Sequence, residues 1–155
     1  IEKYAARALL SGDLTENERL HISQSYCLAL YACNKKDGAL EKAAELTLGG
    51  ALCTGYVTGN PFRAVIGAAA QEVSDCLKSG KEVPAELTEY VKKISAALEK
   101  MQTENPDLSE SETALLKGDT SMISELIARI GKTNENSEAQ NSSLGDKIAE
   151  NNVYI

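Results

Sequence analysis

A chain of 155 residues with 43% hydrophobic and 25% charged residues is the size and composition of one globular domain, which excludes a wholly disordered polymer. A net charge of -7 argues against a polyanion partner, because binding phosphate needs clustered Lys and Arg. Aromatics are only 5%, with no Trp and one Phe, so the core must come from Leu, Ile, Val and Ala, a composition that favours close-packed helices over a sheet.

The chain opens on Ile1-Glu2-Lys3, without a Met or a charged and then apolar leader, which reads as a processed start or a piece of something longer. Apolar residues at Ile1, Tyr4, Ala5, Ala8 and Leu9 form a helical stripe that Ser11-Gly12-Asp13 ends. Thr15-Glu16-Asn17-Glu18 is a capping box, in which the Thr hydroxyl and the Glu carboxylate satisfy backbone donors at a helix start. It predicts a helix from Glu16 to about Asn34, with the apolar run Tyr26 to Cys33 lying deep in the domain. Lys35-Lys36-Asp37-Gly38 reads as its stop, and the next helix as starting near Ala39, burying Ala39, Leu40, Ala43, Ala44 and Leu46, with Leu48 a further candidate for that face.

Leu46 to Leu77 is the most apolar stretch of the chain. Gly49, Gly50, Gly55 and Gly59 interrupt it, each costing about 1 kcal/mol against Ala in a helix, so a kink or a stop is expected there. Asn60-Pro61 is a cap followed by a first helical residue, and predicts a helix from Pro61 to Lys78 that Ser79-Gly80 ends. Pro84 opens another, in which Leu87, Val91, Ile94, Leu98 and Met101 alternate steps of four and three, a stripe facing one neighbour. Thr103 to Pro106 breaks the chain, and Ser109 to Glu112 is a second capping box. Gly118-Asp119 is read as separating a short helix from a last one, Thr120 to Ile130, with Met122, Ile123, Leu126, Ile127 and Ile130 as its stripe. From Gly131 the chain turns to Asn, Ser and Glu, and residues 132–155 read as a flexible tail or linker.

The predicted fold is all-α: a compact bundle of five to seven helices over residues 1–131, centred on the pair after Ala39 and after Pro61, with a disordered C-terminal tail.

Candidates for chemistry are few. The four cysteines, Cys27, Cys33, Cys53 and Cys76, include no CxxC pair, so zinc-ribbon and thioredoxin spacings are missing. With helices stacked up and down at about 1.5 Å per residue, only Cys76 comes level with a partner, Cys27 or Cys33, and buried free thiols are expected instead. His21, the one histidine, lies among Glu16 and Glu18 on an early turn and reads as a solvated helix residue rather than an acid or base. The Gly-rich stretch lacks Lys and both phosphate-loop patterns, and the carboxylate pairs Glu16/Glu18 and Glu110/Glu112 fall in first turns, where the helix dipole accounts for them. Asn141-Ser142-Ser143 has the form of a glycosylation sequon, and Val153-Tyr154-Ile155 is an apolar terminus of the kind that adds to a sheet edge.

No catalytic, cofactor-binding or metal-ligating residue is therefore assigned, and the expected function is a non-enzymatic helical module that binds another protein or acts as a scaffold. Nucleic acid is not an expected partner, and a cytoplasmic setting is slightly favoured over a secreted one. Two alternatives carry named residues. One is a conditionally membrane-active secreted effector using residues 46–73, although no apolar run reaches the ~18 residues a span needs. The other is a small-ligand carrier with a pocket near Tyr26, Tyr31, Tyr56 and Phe62.

Overall fold

A computed structural model describes residues 2–55 and 58–132 with their side chains. The chain is all-α, with six α-helices among the described residues: α1 (Glu2–Leu9), α2 (Glu16–Ala32), α3 (Lys36–Leu46), α4 (Pro61–Lys78), α5 (Ala85–Glu104) and α6 (Glu110–Val153). Beyond Lys132, the expected tail, with the Asn141 sequon and the Val153-Tyr154-Ile155 terminus, lies outside the residues described with side chains.

Both capping boxes form. Glu18 N–H donates to Thr15 Oγ1 at 3.1 Å while Thr15 N–H donates back to Glu18 Oε1 at 3.3 Å, and Ser109 and Glu112 repeat the exchange at 3.1 and 3.2 Å. Asn60 caps α4 as expected, its Oδ1 accepting from Phe62 N–H at 2.8 Å, with Pro61 as first helical residue.

The stop of α2 differs from expectation. Asn34, not Gly38, takes the left-handed conformation (φ 62°), Lys35 N–H reaches back to Leu30 O, and Asn34 N–H to Tyr31 O. Gly38 consequently falls inside the first turn of α3, which begins at Lys36 rather than at Ala39. The same device ends α4 through Gly80 (φ 67°), with Lys81 N–H bonded to Cys76 O.

The glycine stretch stops α3. A π-helical turn over Thr47–Ala51 turns out of the helix at Gly50, whose φ of 100° a residue with a Cβ rarely adopts. The antiparallel strands β1 (Cys53–Thr54) and β2 (Thr58–Gly59) follow, pairing Cys53 with Gly59 and Thr54 with Thr58. The expected stop thus falls at Gly50, and the apolar segment before Pro61 goes on as the short β1–β2 pair.

α4 is the central helix. It packs on α2, α3, α5 and α6, burying Phe62, Val65, Ile66, Ala69 and Val73. The α5 stripe is buried as read, from Leu87 to Met101, but Tyr90 joins it and widens the face. α5 accordingly packs on α3, α4 and α6 rather than on one neighbour.

α6 departs most from expectation, because the helix runs straight through Gly118-Asp119. Its buried positions among the described residues are Leu116, Asp119, Ile123, Leu126 and Ile130, a four-three stripe containing one carboxylate, while Met122 is 45% exposed. A short connector after α5 folds this stripe back onto α5 and α4. α1 packs chiefly on α2 and buries only Ala5, so Tyr4, read as part of its stripe, points to solvent at 79% exposure.

Candidate functional site

Two polar clusters hang on α4. The first surrounds its N-terminus. Asp119 of α6 is fully buried and accepts from Asn60 Nδ2 at 2.5 Å and from Arg63 Nε at 2.9 Å. Gln24 of α2 donates to Asn60 O at 3.2 Å, so one point joins α2, α4 and α6. A buried carboxylate is tolerated only when paired and hydrogen-bonded, and this one also faces the positive end of the α4 dipole. Arg63, with its side chain 36% exposed, forms part of the wall of a 340 Å³ groove shared with Thr54, Thr58 and Ser111.

The second cluster lies farther along α4. Lys36 Nζ pairs with Glu72 at 3.1 Å and stands 5.0 Å from the centre of the Tyr31 ring and 5.9 Å from that of Tyr90, close enough for cation–π attraction. The two rings meet edge to face at 5.9 Å, and Tyr90 Oη donates to Lys36 O at 2.7 Å. Burial first, and then the Glu72 carboxylate, push the Tyr31 hydroxyl well above its ordinary value. That hydroxyl finds no hydrogen-bond partner among the described residues. Tyr90 is shifted the same way, by burial first and then by the Asp37 charge. Beside this cluster lies an open groove of 680 Å³ between the start of α3 and the start of α5, with Lys35, Asp37, Glu89 and Lys93 along it.

A third feature is the groove of 500 Å³ between α1 and α2, lined by Tyr4, Ala29, Ala32 and Cys33 together with Glu2 and Lys3.

The sequence-level candidates are scattered. All four cysteines are free. Cys27 and Cys53 are buried as expected, but Cys33 is exposed and Cys76 only half-buried, because Cys33 occupies the cap position of α2, where the chain turns away from the core. Burial pushes the Cys27 thiol up to about 12, against an opposing pull from Lys42. Cys53 is also raised by burial, and its Sγ donates to Glu16 O at 3.4 Å. His21 is exposed on α2. Among the described residues no three His, Cys, Asp or Glu side chains are grouped to hold a metal ion. The aromatics read as lining a pocket are packed instead: Phe62 is fully buried, Tyr31 lies against Tyr90, and Tyr26 is half-buried under Lys42 Nζ, 5.3 Å from its ring centre. Tyr56 lies outside the described residues.

Sequence reasoning missed the Asn60–Arg63–Asp119 cluster. Its signal was present in the spacing of Leu116, Asp119, Ile123, Leu126 and Ile130, since a carboxylate that holds its place in a buried stripe requires partners from elsewhere. Against models of protein families, curated proteins and solved structures, the chain finds no match.

Proposed function

We propose that this chain is a non-enzymatic helical module that binds another protein, and that the α1–α2 edge is the face it offers. One observation carries the reading: Tyr4 stands 79% exposed at a 500 Å³ groove whose floor is the small residues Ala29 and Ala32. An aromatic ring held in water keeps its apolar area unburied, and interface anchors draw on that kind of area. Leu28, at 45% exposure on α2, and Leu10, at 87% in the turn just after α1, add apolar surface.

The partner that fits presents an apolar side chain to the groove and a basic rim to a chain of net charge -7. The test immobilises the wild-type chain and a Tyr4→Ser, Leu28→Ser variant, and compares retained proteins by quantitative mass spectrometry. Retention of a defined protein by the wild type, its loss with the variant, and direct binding of the purified pair support the reading. Identical profiles for both chains overturn it. Liposome co-sedimentation at neutral and acidic pH tests the membrane reading through residues 46–73, which would require Phe62, Val65, Ile66 and Val73 to leave the core. Among the described residues no helix is long and apolar enough to cross a membrane. Ligand-dependent shifts in melting temperature would instead favour a small-molecule carrier.

A further inference from the structure

We infer that Gly118-Asp119 is a latent hinge in α6, held shut by Asn60 and Arg63, so that the helix beyond it docks or detaches as one unit.

Three observations converge on this step of the chain. Gly and Asp are both weak helix formers, and the pair reads locally as a helix boundary, yet the helix passes through it. Gly118 is not required by space or by backbone conformation. A Cβ built on it would meet nothing within 4 Å, and its φ is not positive. What the glycine contributes at an exposed helical position is backbone freedom. Asp119, by contrast, is wholly buried, and the two side chains that satisfy its carboxylate both belong to the start of α4.

Continuity of α6 at its weakest step therefore depends on residues outside α6. With the clamp engaged, Asp119 sits in the stripe between Leu116 and Ile123 and the helix is continuous. With it broken, an unpaired carboxylate would have to stay buried, a strongly unfavourable state that the chain relieves by bending at Gly118 and carrying Asp119 into water. The first turns, fixed by the Ser109–Glu112 capping box, can stay in place. The groove between them and the β1–β2 hairpin leaves room for the bend. A second tie, Gln102 Nε2 to Thr120 Oγ1 at 3.2 Å, lies one residue beyond the hinge and is lost with it. Detachment uncovers the apolar wall of α5 around Leu98 and Met101, so the hinge governs access to a surface that the closed molecule hides.

Hydrogen exchange on the whole chain tests this, using Arg63→Gln and Asp119→Asn with and without Gly118→Ala. Either clamp variant should speed amide exchange over residues 119–132 by about tenfold or more beyond whatever rise α2 shows. Adding Gly118→Ala should slow the 119–132 amides again by about fivefold, since alanine stiffens that step without a clash. If exchange rises equally in α2, the clamp is only a source of global stability and the hinge is overturned. If Gly118→Ala has no effect on the clamp variants, the bend is elsewhere and the inference fails. Arg63→Gln, which leaves Asp119 its Asn60 partner, supplies the test should Asp119→Asn not fold.

Discussion

The two polar clusters on α4 are built from similar side chains and obey different rules. Around Asp119 the carboxylate is fully buried and both its oxygens are hydrogen-bonded. Around Glu72 the carboxylate side chain is 40% exposed and that of its Lys36 partner 32% exposed. Water already solvates both members of the second pair, so its ion pair competes with hydration and is screened by salt, whereas the Asp119 carboxylate of the first has no solvent to fall back on although Arg63 does. A polar group specifies structure where its loss cannot be made good by water, and only the α4–α6 cluster meets that condition.

The widest gap should appear when the carboxylates are removed. Asp119→Ala leaves the buried Asn60 amide without its acceptor and Arg63 with only Thr58 O and solvent, and should cost about 3 kcal/mol by urea unfolding. A loss under about 1 kcal/mol would erase the distinction between the clusters. Leu98→Ala supplies the apolar yardstick, with about 2–5 kcal/mol lost to transfer and cavity terms. Lys92→Ala on the exposed side of α5 should shift stability by no more than about 0.5 kcal/mol.

Alkaline titration probes the buried proton-bearing groups near the second cluster. The Cys27 thiol moves from an ordinary 9.0 to about 12 on folding. Between those values the unfolded chain gives up the proton and the folded chain keeps it, so the folded state binds more protons and stability falls as pH rises. Tyr31 and Tyr90 are raised too and act in the same direction. The melting temperature should decline above about pH 9, and Cys27→Ala should flatten the early part of that decline. A melting temperature independent of pH in this range would mean that these groups stay solvated in the fold.

Smaller effects sharpen the comparison from the other side. Glu72→Gln should cost at most about 1 kcal/mol, and less in high salt. Tyr31→Phe removes a hydroxyl with no partner among the described residues, and should be neutral within about 0.5 kcal/mol or slightly stabilising. A loss of about 2 kcal/mol in differential scanning calorimetry would reveal a bond that the fold depends on.

Much of the helical frame was legible because it is written in local chemistry. Thr15, Asn60 and Ser109 accept hydrogen bonds from backbone within three residues of themselves, and Leu87 to Met101 repeats at the period of the helix that it buries. The errors fall where distant residues override local preference. Gly118-Asp119 looks like a boundary because the bonds that carry the helix across it come from residues 56 and 59 positions away. Gly38 looks like a stop because a glycine is the commoner left-handed residue, although Asn34 takes that place four residues earlier. Tyr4 matches the period of α1 yet stays exposed, since a stripe states which residues share a face and not whether another helix covers them. The candidate sites were the least legible part, because both polar clusters and two of the three grooves are assembled from elements far apart in sequence, and the α1–α2 groove shows only once the two helices are packed.

The uneven exposure of the four thiols makes the molecule selectively addressable. Cys33 is open to solvent at the mouth of the α1–α2 groove, Cys76 is half-covered, and Cys27 and Cys53 are sealed. A maleimide dye applied briefly to the native chain would therefore attach first at Cys33, next to the Tyr4 ring. Its emission would report whether α1 is seated, free or covered by another molecule, with no engineered residue needed.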